Sequence, residues 1–433
     1  MKKAENLGEF ASAFDPEPLS EKYLSEFYYD GTMPIRMNGD TISPMKDLFR
    51  SCLEVRGQNA HLLLGHKGCG KSTELNMLKQ KLEESGRKVS VIRCLRDADL
   101  MGLASQDLLI LLGKHLCAIA EDTNCALPEP LLDAIADFWK DIEKTEVSSK
   151  ERGIAAKGEA SASSPKLLLI AKFFIGLSSE LRYGVVKRTT VREKVERNTA
   201  QWIGYLEELS AHLTEHLGGK QPIIIFEDLD KLPPDKAWGL FDNPLSKMSF
   251  PVIYTFPISL SYAPKFAGLE AAFNNNVHFL PMIKIRTPGG EPYGAGIDTI
   301  KRIIEKRADI SLFEDAALEH LIEKTGGILR DLFNCITQAA RRSADRQAAK
   351  VEGEDVQSAL TQLRSSLTRR IESSNYPLLK NINRGGKYKN RIENREMLLD
   401  MMQGLIVLEY NGDRWHDLHP LVEDFLKEQG ELE

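Results

Sequence analysis

The stretch Gly65-His66-Lys67-Gly68-Cys69-Gly70-Lys71-Ser72 matches the pattern GxxxxGK[ST] in full, and these residue types at this spacing can hold a polyphosphate. Gly65, Gly68 and Gly70 free the backbone to turn successive N–H groups inward as an anion cradle. Lys71 is placed to reach the β- and γ-phosphates, and the Ser72 hydroxyl to coordinate Mg2+. Thr73 continues into a helix whose positive N-terminal end strengthens the cradle. A nucleoside triphosphate with Mg2+ is therefore the first ligand to consider.

A second group of chemically capable residues follows Ile223-Ile224-Ile225-Phe226, a buried strand that runs into Glu227, Asp228 and Asp230. In phosphate-loop enzymes a strand beside the loop delivers an acid to the Mg2+ shell, and some place a second acid next to it to polarise the attacking water. On that logic Glu227 is the metal-shell acid, Asp228 the base, and Asp230 a residue that positions its neighbours. Hydrolysis of a nucleoside triphosphate is the reaction these groups would carry.

The elements that must position these groups can be read from periodicity. A strand at His61–Leu64 feeds the loop, and a helix at Thr73–Ser85 leaves it with Leu75, Leu78 and Leu82 on one face. Further strands are expected at 88–94, 222–226, 251–256 and 277–285, alternating with helices, which predicts a parallel α/β sheet covered on both faces. A helical insertion, about 123–200, separates the second and third strands. Helices are expected at 103–119, 128–144, 166–181 and 191–217, with a flexible loop at 148–165. After residue 297 the pattern turns helical (297–308, 314–324, 328–348, 353–371). A hairpin is expected at Leu405–Leu418 around Asn411-Gly412. The expected fold is a parallel-sheet P-loop NTPase core with a helical insertion, a helical lid and a small C-terminal winged-helix domain. Its expected divisions are an N-terminal arm at 1–44, a core at 45–290, a lid at 291–365 and a winged-helix-like region at 366–433.

With these motifs in view, the chain resembles the AAA+ and related STAND-like ATPases, nearest the origin-recognition and Cdc6-type branch. The phosphate loop and Phe226–Leu232 carry the first part of the resemblance. Gly326-Gly327-Ile328-Leu329-Arg330 looks like the sensor 2 segment, in which an arginine reaches the γ-phosphate. Thr255, at the end of a strand, occupies the place of sensor 1, with Ser259 as a competing residue. The resemblance implies a nucleotide-dependent conformational or assembly switch, acting as a homo-oligomer or on an effector protein, in a setting such as bacterial antiphage defence. The alternative it implies is a DNA-binding initiator- or transposition-type ATPase. Two departures point to slow hydrolysis. Glu227-Asp228 reverses the usual order of the two acids, and the stretch Pro264–Asn275 carries Lys265 but no arginine finger. Arg286 or Arg302 would be other sources of such a finger.

Composition bounds the partners. The 433 residues carry a net charge of −6, which argues against a protein that coats nucleic acid over its whole surface. A local basic stretch, Arg384, Lys387, Lys389, Arg391 and Arg395, could still meet DNA phosphates. No apolar run approaches the roughly 18 residues of a membrane span, no signal peptide is recognisable, and the scattered cysteines read as reduced thiols. A cytoplasmic protein is expected. His212 and His216 stand one helical turn apart, but no further ligand accompanies them, so a metal pair is not expected.

Overall fold

The computed structural model describes residues 1–37, 43–54, 57–147, 165–183, 186–241, 244–385, 394–410 and 415–432. All of the expected loop at 148–165 except Pro165, the Asn411-Gly412 turn, and Lys387, Lys389 and Arg391 lie outside them. Among the described residues, strands β1 (Ala60–Gly65), β2 (Val89–Arg93), β3 (Ile223–Glu227), β4 (Val252–Pro257) and β5 (Val277–Phe279) form one parallel sheet in the order β2-β3-β4-β1-β5. β1, β3 and β4 are buried along their whole length. Helices cover both faces, which is why these strands read as continuous apolar runs rather than alternating ones.

One strand expectation is corrected. The last strand ends at Phe279 rather than running to residue 285. Pro281 carries no N–H to continue a ladder, and its carbonyl accepts from the Arg36 guanidinium instead. The acid-bearing strand β3 is separated from β1 by β4. The acids reach the loop only because the chain continues past β3 into a tight turn at Leu229–Lys231 that carries Asp230 back toward Lys71.

The insertion between β2 and β3 is helical, as expected, with helices at Ser105–Asp122, Glu129–Val147, Pro165–Tyr183, Val186–Arg197 and Thr199–His216. The single helix expected at 191–217 is two helices. Asn198 leaves the helical region at φ −125° and ψ 29°, and its side chain donates to the Lys194 carbonyl, the local competition that makes asparagine a helix breaker. The insertion has its own aromatic centre. Trp202 stacks on Phe138 at 5.3 Å, meets Trp139 at 5.1 Å, and donates its indole N–H to the Leu109 carbonyl.

Beyond the sheet, helices Gly294–Arg307, Asp315–Lys324, Leu329–Asp345 and Gly353–Thr368 form the lid. Helices Tyr376–Gly385 and Arg395–Gln403, the antiparallel strands β6 (Val407–Tyr410) and β7 (Trp415–Leu418), and helix Pro420–Glu428 make the winged-helix unit. Its two strands are largely buried. Tyr410 and Trp415 stack at 4.7 Å.

Candidate nucleotide site

The phosphate loop leaves the carboxyl end of β1, where ligand sites of open parallel sheets gather. Gly68 and Gly70 have φ of +80° and +103°, a region that side-chain-bearing residues rarely adopt. Space imposes a second requirement at Gly68. A Cβ there would lie 2.9 Å from Ile328 and 3.0 Å from Arg330 of the lid. Lid and loop touch backbone to backbone, since the Arg330 N–H donates to the Gly68 carbonyl at 3.3 Å.

Lys71 is buried and its ammonium is fully engaged. It donates to the Gly65 and His66 carbonyls at 2.7 and 2.8 Å and pairs with Asp230 at 2.8 Å. Burial acts to raise the Asp230 carboxyl, but Lys71, then Lys231 and Lys67, outweigh it and hold it below its usual value. Asp230 is thus the acid the structure brings directly to the loop lysine. The sequence reading gave it only a positioning part.

Glu227 lies at the end of β3, 2% exposed, with one carboxylate oxygen 3.2 Å from Arg93 Nε. Its other oxygen is buried without a hydrogen-bond partner. Burial pushes this carboxyl up to about 7, opposed by Arg93 and reinforced by Asp228. Asp228 has φ +75° and accepts from the Leu95 N–H at 3.2 Å and from Lys231 at 2.7 Å. Thr255 is 1% exposed. Its hydroxyl accepts from the Leu229 N–H at 3.0 Å and donates to the Phe226 carbonyl at 3.3 Å, so it braces the turn that carries the acids. Ser259 faces Gln403 of the winged-helix unit.

A cavity of about 840 Å³, open to solvent, runs from the loop to the N-terminal arm. Gly68, Gly70, Lys71, Ser72, Thr73, Asp230 and Arg330 border it, whereas Glu227, Asp228 and Thr255 do not. Tyr28, Tyr29, Leu19 and Phe333 add an apolar, aromatic wall. The arm is tied down at this point. Arg36 donates to the Cys69 carbonyl at 2.9 Å, the Leu19 N–H donates to Thr73 at 3.4 Å, and the Tyr28 hydroxyl donates to Glu74 at 2.9 Å.

Arg36 and Arg93 were not singled out in the sequence. Arg93 carried a usable signal, because it ends a predicted strand on the edge where parallel sheets build their sites. Arg36 lies in an arm without periodicity and carried none. Of the two other expected finger sources, Arg286 is paired with Glu423 at 2.6 Å and Arg302 with Glu305 at 3.5 Å. The loop also meets the winged-helix unit, where His66 Nε2 accepts from the Glu409 N–H at 2.8 Å. Burial, then Lys71 and His416, push the His66 imidazole down to about 3, so it stays neutral.

The residues present fit a magnesium nucleotide. Two glycines hold the left-handed backbone of the loop, Ser72 borders the cavity, and Glu227 keeps an orphaned buried oxygen. Among the described residues no cluster of histidine, cysteine and carboxylate side chains could by itself hold a metal ion, and no helix is long and apolar enough to cross a membrane.

No protein-family model matches the chain, and no curated protein does. Among solved structures it is similar to Cdc6p from Pyrobaculum aerophilum, at 12% identity and TM-score 0.40, over 97% of this chain and 98% of that one. It is also similar to the ORC2 protein of Aeropyrum pernix in its ADP form, at 10% identity and TM-score 0.36, over 96% of each chain. The Aeropyrum pernix ORC1 protein in complex with DNA is 14% identical with TM-score 0.36, over 90% of this chain and 94% of that one. Strand order and phosphate loop, rather than these similarities, define the fold.

Proposed function

We propose that this chain binds ATP with Mg2+ and hydrolyses it slowly, as a switch that couples the occupant of the phosphate loop to the placement of lid and winged helix. The observation that carries this reading is the backbone bond from Arg330 to Gly68. A loop whose carbonyl is held by the lid cannot rearrange around a triphosphate without displacing the lid. When bound, the magnesium nucleotide supplies the phosphoanhydride bond to be broken. The chain's own residues then divide the work. The loop N–H groups and Lys71 would hold the phosphates, Ser72 and, once released from Arg93, Glu227 would hold the metal, Asp228 would act as the base, Arg330 would sense the γ-phosphate, and Thr255 keeps the acidic turn in place. Lys71 must exchange Asp230 for phosphate, and Glu227 must exchange Arg93 for the metal shell. These built-in competitors, together with the reversed acids, support slow turnover. The output of such a switch is assembly with further copies or with an effector protein.

A DNA-binding, initiator- or transposition-type ATPase is the second reading, favoured by the winged-helix fold and by exposed Arg395 at the start of one of its helices. On this reading the wing must first leave the core, because its strands are packed there. One experiment tests both readings: ATP turnover and particle mass, with and without duplex DNA, for the wild type and Lys71→Ala. The switch reading expects nucleotide-dependent change in mass or shape that ignores DNA and is lost in Lys71→Ala. DNA-stimulated turnover selects the second reading. No turnover and no response to nucleotide defeats both.

A further inference from the structure

Arg36 comes from the N-terminal arm, yet it lies against the phosphate loop. It ends the short helix Thr32–Arg36 and is 1% exposed. One guanidinium nitrogen donates to the Pro281 carbonyl after β5, and another to the Cys69 carbonyl of the loop at 2.9 Å. A Cβ at Gly70 would stand 3.5 Å from the nitrogen that holds Cys69, and Arg36 borders the same cavity as Gly68, Gly70, Lys71 and Ser72. In a trans peptide the carbonyl and the next N–H point in opposite directions, so the bond to Cys69 turns the Gly70 N–H away from Arg36. Among the described residues nothing accepts from that N–H. The guanidinium is itself a buried cation without full compensation. Its Nε has no hydrogen-bond partner, and among the described residues it forms no ion pair with a carboxylate. Glu74, which borders the same cavity, accepts from the Tyr28 hydroxyl at 2.9 Å instead. A buried charge in this condition costs free energy that an entering anion returns.

We propose that Arg36 is a positioning residue of the nucleotide site: by holding the Cys69 carbonyl it fixes the Gly70 N–H as a phosphate donor, and its charge favours the polyphosphate. The part of the ligand it serves is the phosphate chain, not the base. The inference rests on the nucleotide reading above and adds to it a role for the arm. Because the same guanidinium holds Pro281, the arm ties the loop and the segment after β5 into one anion-accepting shape. An arm that lifts away takes this clamp with it, so the affinity of the loop for phosphate depends on a segment that precedes the whole core in sequence.

The test uses the full chain and two probes, a fluorescent ATP analogue and inorganic tripolyphosphate as its competitor, titrated into the wild type, Arg36→Gln, Arg36→Lys and Glu21→Gln. Affinities are taken per folded molecule, with the folded fraction read by circular dichroism. One hydrogen bond to a charged group is worth roughly tenfold in affinity. Arg36→Gln is expected to weaken both probes by about that factor. Arg36→Lys keeps the charge but loses the planar fork, and is expected to weaken both by up to the same factor; it decides the matter if Arg36→Gln does not fold. Glu21 ties the arm at another place, to Lys79 at 2.5 Å, so Glu21→Gln is expected to leave tripolyphosphate affinity within about twofold. Arg36 variants that hold tripolyphosphate as well as the wild type does, or a Glu21→Gln variant that weakens it as much as they do, overturn the inference and leave the nucleotide reading standing. So does a wild type that binds the ATP analogue but yields none of it to tripolyphosphate. A wild type that binds neither probe overturns the nucleotide reading and this inference with it.

Discussion

Glu227 shows how one residue's surroundings set its chemistry. A carboxyl buried to 2% exposure with a single guanidinium partner is raised from 4.5 to about 7. Because the folded value lies above the unfolded one, the stabilising contribution is complete below about 4.5 and is lost as pH rises through about 7. Glu227→Gln removes the charge and keeps the shape. Its melting temperature is expected to exceed that of the wild type at pH 8 and to match it near pH 4, with a difference of about 3 kcal/mol at most. Parallel melting curves at the two pH values would contradict the assignment. Lys71 behaves differently, because its charge is already satisfied by Asp230 and two carbonyls. Lys71→Ala leaves Asp230 buried and unpaired, so it is expected to lose stability as well as nucleotide affinity, by roughly 3–5 kcal/mol, measurable by denaturant unfolding of the free protein.

Turns, rather than long helices, carry the site at the scale of elements. Gly326 and Gly327 precede the lid helix Leu329–Asp345 at φ +67° and +79°, and a Cβ on Gly327 would sit 2.2 Å from the Ile283 carbonyl. Gly327→Ala must therefore push the lid off the segment after β5. The expected result is a loss of at least 1–2 kcal/mol and faster proteolysis at the lid. An unchanged melting temperature would show that the lid is not seated there. The insertion forms a different kind of unit. Gly113 leaves room for Trp202, whose ring would lie 2.7 Å from a Cβ at that position, and the surrounding aromatic rings make a local core. Trp202→Ala is expected to cost about 3–5 kcal/mol, read by near-ultraviolet dichroism and unfolding, with little change in nucleotide affinity per folded molecule.

Across the whole molecule, the winged-helix unit closes over the core from several sides. Arg286 pairs with Glu423 and Lys324 with Asp424. The Tyr410 hydroxyl donates to the Gly326 carbonyl at 2.8 Å, and Gln403 donates to the Leu232 carbonyl at 3.0 Å. Glu409 of β6 reaches both His66 of the phosphate loop and the Tyr262 hydroxyl. The unit thus touches the phosphate loop, the acidic turn and the lid hinge together. Among the described residues, Arg286→Ala leaves Glu423 paired with Lys427 at 3.0 Å. Hydrogen exchange of β6 and β7 is expected to rise several-fold in this variant, and further with ATP. Protection equal to that of the wild type in both states would argue that the wing is not held by this pair.

Features that depend on local pattern were legible from residue order alone. The octet from Gly65 to Ser72 defined the loop, continuous apolar runs marked strands buried on both faces, and helical periodicity revealed the insertion and the lid. Each signal lies within a few turns of chain, where spacing dictates which side chains share a face. Contacts between distant segments could be decided only by the tertiary structure. β4 came between the loop strand and the acid strand, and β5 stopped short where Arg36, hundreds of positions away in the chain, captured the Pro281 carbonyl. Asp230 rather than Glu227 met Lys71, Arg93 engaged Glu227, and the hydroxyl of Thr255 was taken up by backbone. A side chain's type states which partners it can accept. Which partner it receives is settled by where packing brings the chain together, and buried charges, costly to leave unpaired, take the nearest one.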